Sequence, residues 1–101
     1  MNQKYKQLIE MYCKARGISI PSGFYRHSPS HFIVVRSDSA IPKLVAKTFF
    51  KKEDLNYYIK NNLLELSEDE DGFLPAKVVN FKDQLEYRIA STGRLSPIPL
   101  E

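Results

Sequence analysis

The amino-acid sequence predicts a single α+β domain in the order α-β-β-β-α-β-β: an N-terminal amphipathic helix, an antiparallel β-meander, a second helix and a C-terminal β-hairpin. Three observations lead there. Two segments repeat apolar residues at helical spacing. Several short apolar or alternating runs lie between clusters of Pro, Gly and Ser. The chain has 101 residues, 43% of them apolar and 27% charged, which is ordinary for a folded protein with one core. Residues 1–95 are read as the domain and 96–101 as an extended tail.

The first helix is expected from Gln3 to Arg16, because Tyr5, Leu8, Ile9 and Tyr12, with Ala15 near them, share one helical face. Gly17 stops it, and Lys14 and Arg16 in its last turn oppose the partial negative charge of the helix end. Pro21-Ser22-Gly23 is a turn signal, after which Phe24–His27 and His31–Arg36 are expected strands around Ser28-Pro29-Ser30. The second run is apolar on both pleat faces, as an inner strand is. Ser37–Pro42 turns the chain into a third expected strand, Lys43–Phe50. Lys51–Asn62 then places Leu55, Tyr58 and Ile59, with Leu63 just beyond, on one helical face, and Glu53 and Asp54 in the first turn suit the dipole. Glu65–Gly72 is too charged for a core and reads as an exposed or mobile connector. Lys77–Phe81 and Gln84–Ala90 are the last expected strands, the latter alternating Leu85, Tyr87 and Ile89 with Glu86 and Arg88. Pro97 and Pro99 leave the tail extended or loose.

Several function classes are disfavoured. The longest aliphatic or aromatic run, Phe32–Val35, is far short of the roughly 20 apolar residues of a membrane span, and Met1–Lys6 lacks the apolar stretch of a secretory signal. One cysteine, Cys13, forms no internal disulfide and suits a reducing compartment, so a cytoplasmic location is expected. Leu100-Glu101 matches a dipeptide that a cloning vector leaves, and nothing rests on it.

Charge is unevenly spread along the chain. Residues 1–60 hold eleven Lys or Arg and four acids, a balance of +7, whereas residues 61–101 hold four and eight, a balance of −4. Either the basic part attracts an anionic partner, or the two parts neutralise each other on folding. Candidate anion-binding residues are Lys14, Arg16, Arg26, Lys51 and Lys52, with Lys4, Lys6 and Tyr25 as further members of such a surface. Glu68, Asp69, Glu70 and Asp71 form a candidate acidic interaction loop.

Other constellations carry little chemistry. Asp69, Asp71 and Gly72 stand at the third, fifth and sixth positions of a calcium loop, but the first is Ser67 and the twelfth Val78. His27 and His31 have a zinc-ligand spacing, but Pro29 argues against the helix that would bring them together. The four glycines make neither a phosphate loop nor a dinucleotide fingerprint. Cys13 has no histidine or acid placed to activate it, and no cofactor or metal is expected.

Tyr12–Gly17 closing the first helix, Pro29 and His31 before the second strand run, and Lys51-Lys52-Glu53 opening the second helix resemble double-stranded RNA-binding domains. So does the order helix, three strands, helix. That resemblance implies recognition of duplex RNA by shape. The chain departs from the family at the short loop before His31, at Leu55 where a lysine is the pattern, at Tyr57-Tyr58 in place of small alanines, and over the last forty residues. Membership is not inferred. The expected function is a small non-catalytic regulatory or adaptor module that binds another protein. The alternative is nucleic-acid binding, to duplex RNA or DNA, through the basic surface of residues 1–60.

Overall fold

The structure, a computed structural model, describes residues 3–98. Helix α1 spans Gln3–Arg16, strand β1 Phe32–Arg36, β2 Lys43–Leu44, helix α2 Lys52–Lys60, β3 Phe73–Asn80, β4 Leu85–Ala90 and β5 Leu95–Pro97. The five strands form one antiparallel sheet in the order β2-β1-β3-β4-β5. The α+β class and the alternation of helix, strands, helix and strands are as the sequence predicts.

The run Phe32-Ile33-Val34-Val35 explains the layering. All four side chains are buried, and successive strand residues point to opposite faces, so β1 must be covered on both sides. Phe32 and Val34 join Leu55 and Ile59 of α2, along with Val78 and Ile89. Ile33 and Val35 join Ile9 and Cys13 of α1, along with Val79. Helix α1 therefore lies on one face of the sheet and α2 on the other.

Four local expectations are corrected. Phe24–Arg26 is a single 3-10 turn rather than a strand. Gly23, at φ +81°, reverses the chain, and Phe24 N–H and Arg26 N–H donate to the Pro21 and Gly23 carbonyls. This drives the Phe24 ring into the α1 core. The strand expected over Lys43–Phe50 is regular only at Lys43–Leu44. Lys47 N–H turns back to the Val45 carbonyl, and the chain meets β1 again only where Phe49 pairs with Phe32. Strand β3 starts four residues before Lys77, with an irregular register against β4 between Phe73 and Lys77 that accommodates Pro75. The tail contributes β5, in which Pro97 is tolerated because an edge strand need not donate outward. Leu100-Glu101 lies outside the described residues.

Both sheet edges are blunted. Ser19 bridges to Lys43, its N–H donating to the Pro42 carbonyl at 2.8 Å and its carbonyl accepting Leu44 N–H at 2.9 Å. Strand β5 is three residues long and holds Pro97. Neither edge offers a long open ladder to an added strand.

Candidate functional site

The five expected anion-binding residues do not meet on one surface. Lys14 and Arg16 end α1, and Arg26 lies in the 3-10 turn whose Phe24 packs under α1, so these three belong to the α1 side. Lys51 and Lys52 open α2, over the opposite face of the sheet. Among the described residues there are two ion pairs, Arg36 with Asp38 at 2.6 Å and Lys77 with Glu86 at 2.7 Å. Each pair lies within one part of the chain. Among the described residues no ion pair joins the basic part, 1–60, to the acidic remainder.

Folding instead converts the charge gradient into a difference between faces. Helix α1 carries Lys4, Lys6, Lys14 and Arg16 against one acid, Glu10. Helix α2 carries two lysines and two acids, and the segment after it adds Glu65, Glu68, Asp69, Glu70 and Asp71. The strand register puts two further cations on the α1 side. Val79 packs in the α1 core, and Lys77, two residues away on the same pleat face, is the partner of Arg88. Lys77 and Arg88 therefore share the α1 side, as does Glu86, the partner of Val79.

These groups are held by specific contacts. Tyr12 Oη donates to Glu86 Oε1 at 2.9 Å, and the same carboxylate oxygen meets Lys77 Nζ. Lys77 holds the Glu86 carboxyl below its ordinary range, outweighing burial, with help from Tyr12 and Arg16. Burial pulls Lys77 down, but hydrogen bonding with Glu86 and Tyr12 leaves it above its usual value. The Arg16 guanidinium lies 3.9 Å from the centre of the Tyr12 ring, and that of Arg88 3.8 Å from the centre of Phe73. Lys6 Nζ sits 5.1 Å from the Tyr25 ring centre. Stacking of this kind contributes about 0.5–1 kcal/mol at exposed sites and fixes the direction of a long side chain. The tyrosine signal and Arg16 are readable from sequence. Lys77 and Arg88 are not: the alternation of β4 marks Arg88 only as part of a wet sheet face, and nothing in the sequence places Lys77 beside it.

The acidic loop is exposed but not free. Asp69 Oδ1 accepts Asp71 N–H at 2.9 Å and Phe73 N–H at 3.0 Å, and Glu68 accepts a hydrogen bond from Ser91. Leu66 at its start is buried. Its carboxylates thus serve a defined turn, the exposed loop of the two alternatives the sequence offers rather than the mobile connector.

Cys13 is buried and its thiol is pushed up to about 11, burial outweighing the nearby Arg16. His31 lies among the rings of Tyr5, Phe32 and Phe50, with His27 exposed at the end of the 3-10 turn. Burial and then Lys82 lower the His31 pKa, against Asp83. Among the described residues no three His, Cys, Asp or Glu side chains are grouped to hold a metal. A hollow of about 460 Å³ on the α2 side is walled by Leu44, Val45, Leu63 and Leu64, and its Arg36 and Asp38 already pair with each other. No helix among the described residues is long and apolar enough to cross a membrane. The likeness to double-stranded RNA-binding domains fails at the strand count, since two strands rather than three separate the helices. Comparison with protein-family models, curated proteins and solved structures finds no match to this chain.

Proposed function

We propose that this protein is a small non-catalytic regulatory or adaptor module that binds another protein, presenting its α1 side to an acidic surface of that partner. One observation carries this reading: among the described residues no ion pair joins the basic part of the chain to the acidic part, so that α1 keeps four cations against one acid. Unneutralised like charge disfavours the compact state, and a complementary partner relieves it. Met11, 68% exposed in the middle of α1, and Tyr25 add the apolar and aromatic area typical of recognition surfaces.

The test is retention of protein by the immobilised chain from nuclease-treated extract of the native host. Retention at low salt, lost at about 0.5 M salt where charges are screened beyond a few ångströms, supports the proposal. The double variant Lys4→Glu/Lys14→Glu, altering two exposed side chains of α1, should abolish it while Lys51→Glu/Lys52→Glu should not. Retention seen only from extract left untreated with nuclease would instead select the nucleic-acid reading.

A further inference from the structure

We infer that the trough between the C-terminal half of α1 and the uncovered part of β3 and β4 docks an extended acidic segment of the partner protein, with Arg16 and Arg88 as its carboxylate-binding forks. The inference rests on the adaptor reading above and names the part of that surface that recognises the partner.

The trough follows from the register. Tyr12 reaches over the sheet as far as Glu86, and beyond it Arg88 and its neighbour Ser96 on β5 continue the same face. Arg88 is exposed and Ser96 half-buried. The Lys77–Glu86 pair makes a neutral middle, leaving Arg16 at one side and Arg88 at the other as cations that form no ion pair among the described residues. Each guanidinium is stacked on a ring, Tyr12 or Phe73. Stacking occupies the flat face of each group; Arg16 Nη1 also donates to the Tyr12 carbonyl at 3.5 Å, and the remaining N–H groups suit a planar acceptor, which a carboxylate matches with two parallel hydrogen bonds. Next to Arg16 and Lys77, toward β1 and the turn before β2, is an open hollow of about 500 Å³ walled by Ile18, Val35, Pro42 and Ala76, larger than one apolar side chain needs. The fitting ligand is therefore a segment with spaced acids and an apolar residue on the Arg16 side of them.

Two features favour a peptide over a polynucleotide. Bases need bare aromatic faces, yet Arg16 and Arg88 cover Tyr12 and Phe73, and Phe81 meets Tyr12 edge-on at 5.6 Å. A polynucleotide also carries a charge at every residue, so its backbone would cross Glu86, whereas spaced carboxylates straddle it.

The probe is a short fluorescein-labelled peptide alternating glutamate and leucine, titrated by anisotropy against the full chain at low salt. Expected is saturable binding, weakened about tenfold or more by Arg16→Ala and by Arg88→Ala. Arg16→Lys, which keeps the charge and removes the fork, should lose nearly as much. Absence of binding, or an Arg16→Lys variant equal to wild type, overturns the inference. So does tighter binding of an oligo(dT) probe that the arginine variants weaken, which would assign the trough to single-stranded nucleic acid. Should the peptide fail while host-protein retention remains sensitive to Lys4→Glu/Lys14→Glu, the trough alone is rejected. Loss of both rejects the adaptor reading with it.

Discussion

Strand β1 feeds two cores from one ladder, so damage to either core should be felt by the whole molecule. Leu55→Ala, on the α2 side, removes three buried carbons from a residue with no exposure. At about 0.8 kcal/mol per carbon the transfer loss is about 2.4 kcal/mol. If none of the roughly 80 Å³ vacated relaxes, a cavity term of about 24 cal/mol per Å³ adds about 2 kcal/mol, so about 2.5–4.5 kcal/mol is expected. Ile9→Ala, on the α1 side and equally buried, removes the same number of carbons and should cost about the same. The two sites lie in different cores across the sheet, so their effects should add to about 5–9 kcal/mol, a large share of the 5–15 kcal/mol usual for a domain. Urea unfolding followed by far-UV circular dichroism and by tyrosine fluorescence, the chain having six Tyr and no Trp, measures this. Each single variant should give one transition with coincident midpoints and an unchanged denaturant slope. A Leu55→Ala curve that splits in two, or amide exchange that accelerates around α2 while Ile9 and Cys13 stay protected, would refute coupling through β1.

Three further outcomes are expected. Glu86 has a folded pKa below its unfolded value, so its contribution is complete above the ordinary glutamate range and is lost as pH falls through the lower folded value. Glu86→Gln should flatten the acid limb of a stability-versus-pH curve over that window. Cys13, protonated at pH 8 and buried, should react with iodoacetamide at a rate limited by opening, and rapidly in urea. Gly93→Ala should lower stability by more than about 1 kcal/mol in thermal melts. Its φ is +93°, and a Cβ there would lie 3.3 Å from Lys60 Cγ and Cε.

Periodicity recovered the elements whose burial it governs. Ile9 is fully buried on the predicted stripe of α1, and Leu55 and Ile59 on that of α2. It failed where a backbone detail intervened. Phe24-Tyr25-Arg26-His27 is as apolar and aromatic as a strand, but the positive φ of Gly23 had already turned the chain. Lys43–Phe50 has strand composition throughout, yet spends five residues from Leu44 to Phe49 where β1 spends three from Val35 to Phe32, so the excess must leave the ladder. Pro97 predicts an extended or loose tail outside the ladder, yet at a sheet edge the missing N–H costs nothing and the extended segment pairs with β4.

The candidate surface was less legible for a related reason. A charge balance taken along the chain groups Lys51 and Lys52 with Arg16, and sets Lys77 and Arg88 among the acids. Faces are assigned by strand parity and by which helix covers which side, and both depend on register between residues up to seventy-four apart, as Tyr12 and Glu86 are. Once β3 pairs Val79 with Glu86 and Lys77 with Arg88, the parity of one strand decides that these cations stand beside Arg16. A one-residue slip of β4 would send Arg88 to the α2 side and Ile89 to solvent. The full burial of Ile89 is what holds Arg88 on the α1 side, so the hydrophobic pattern of β4 and the placement of its charge are set by the same constraint.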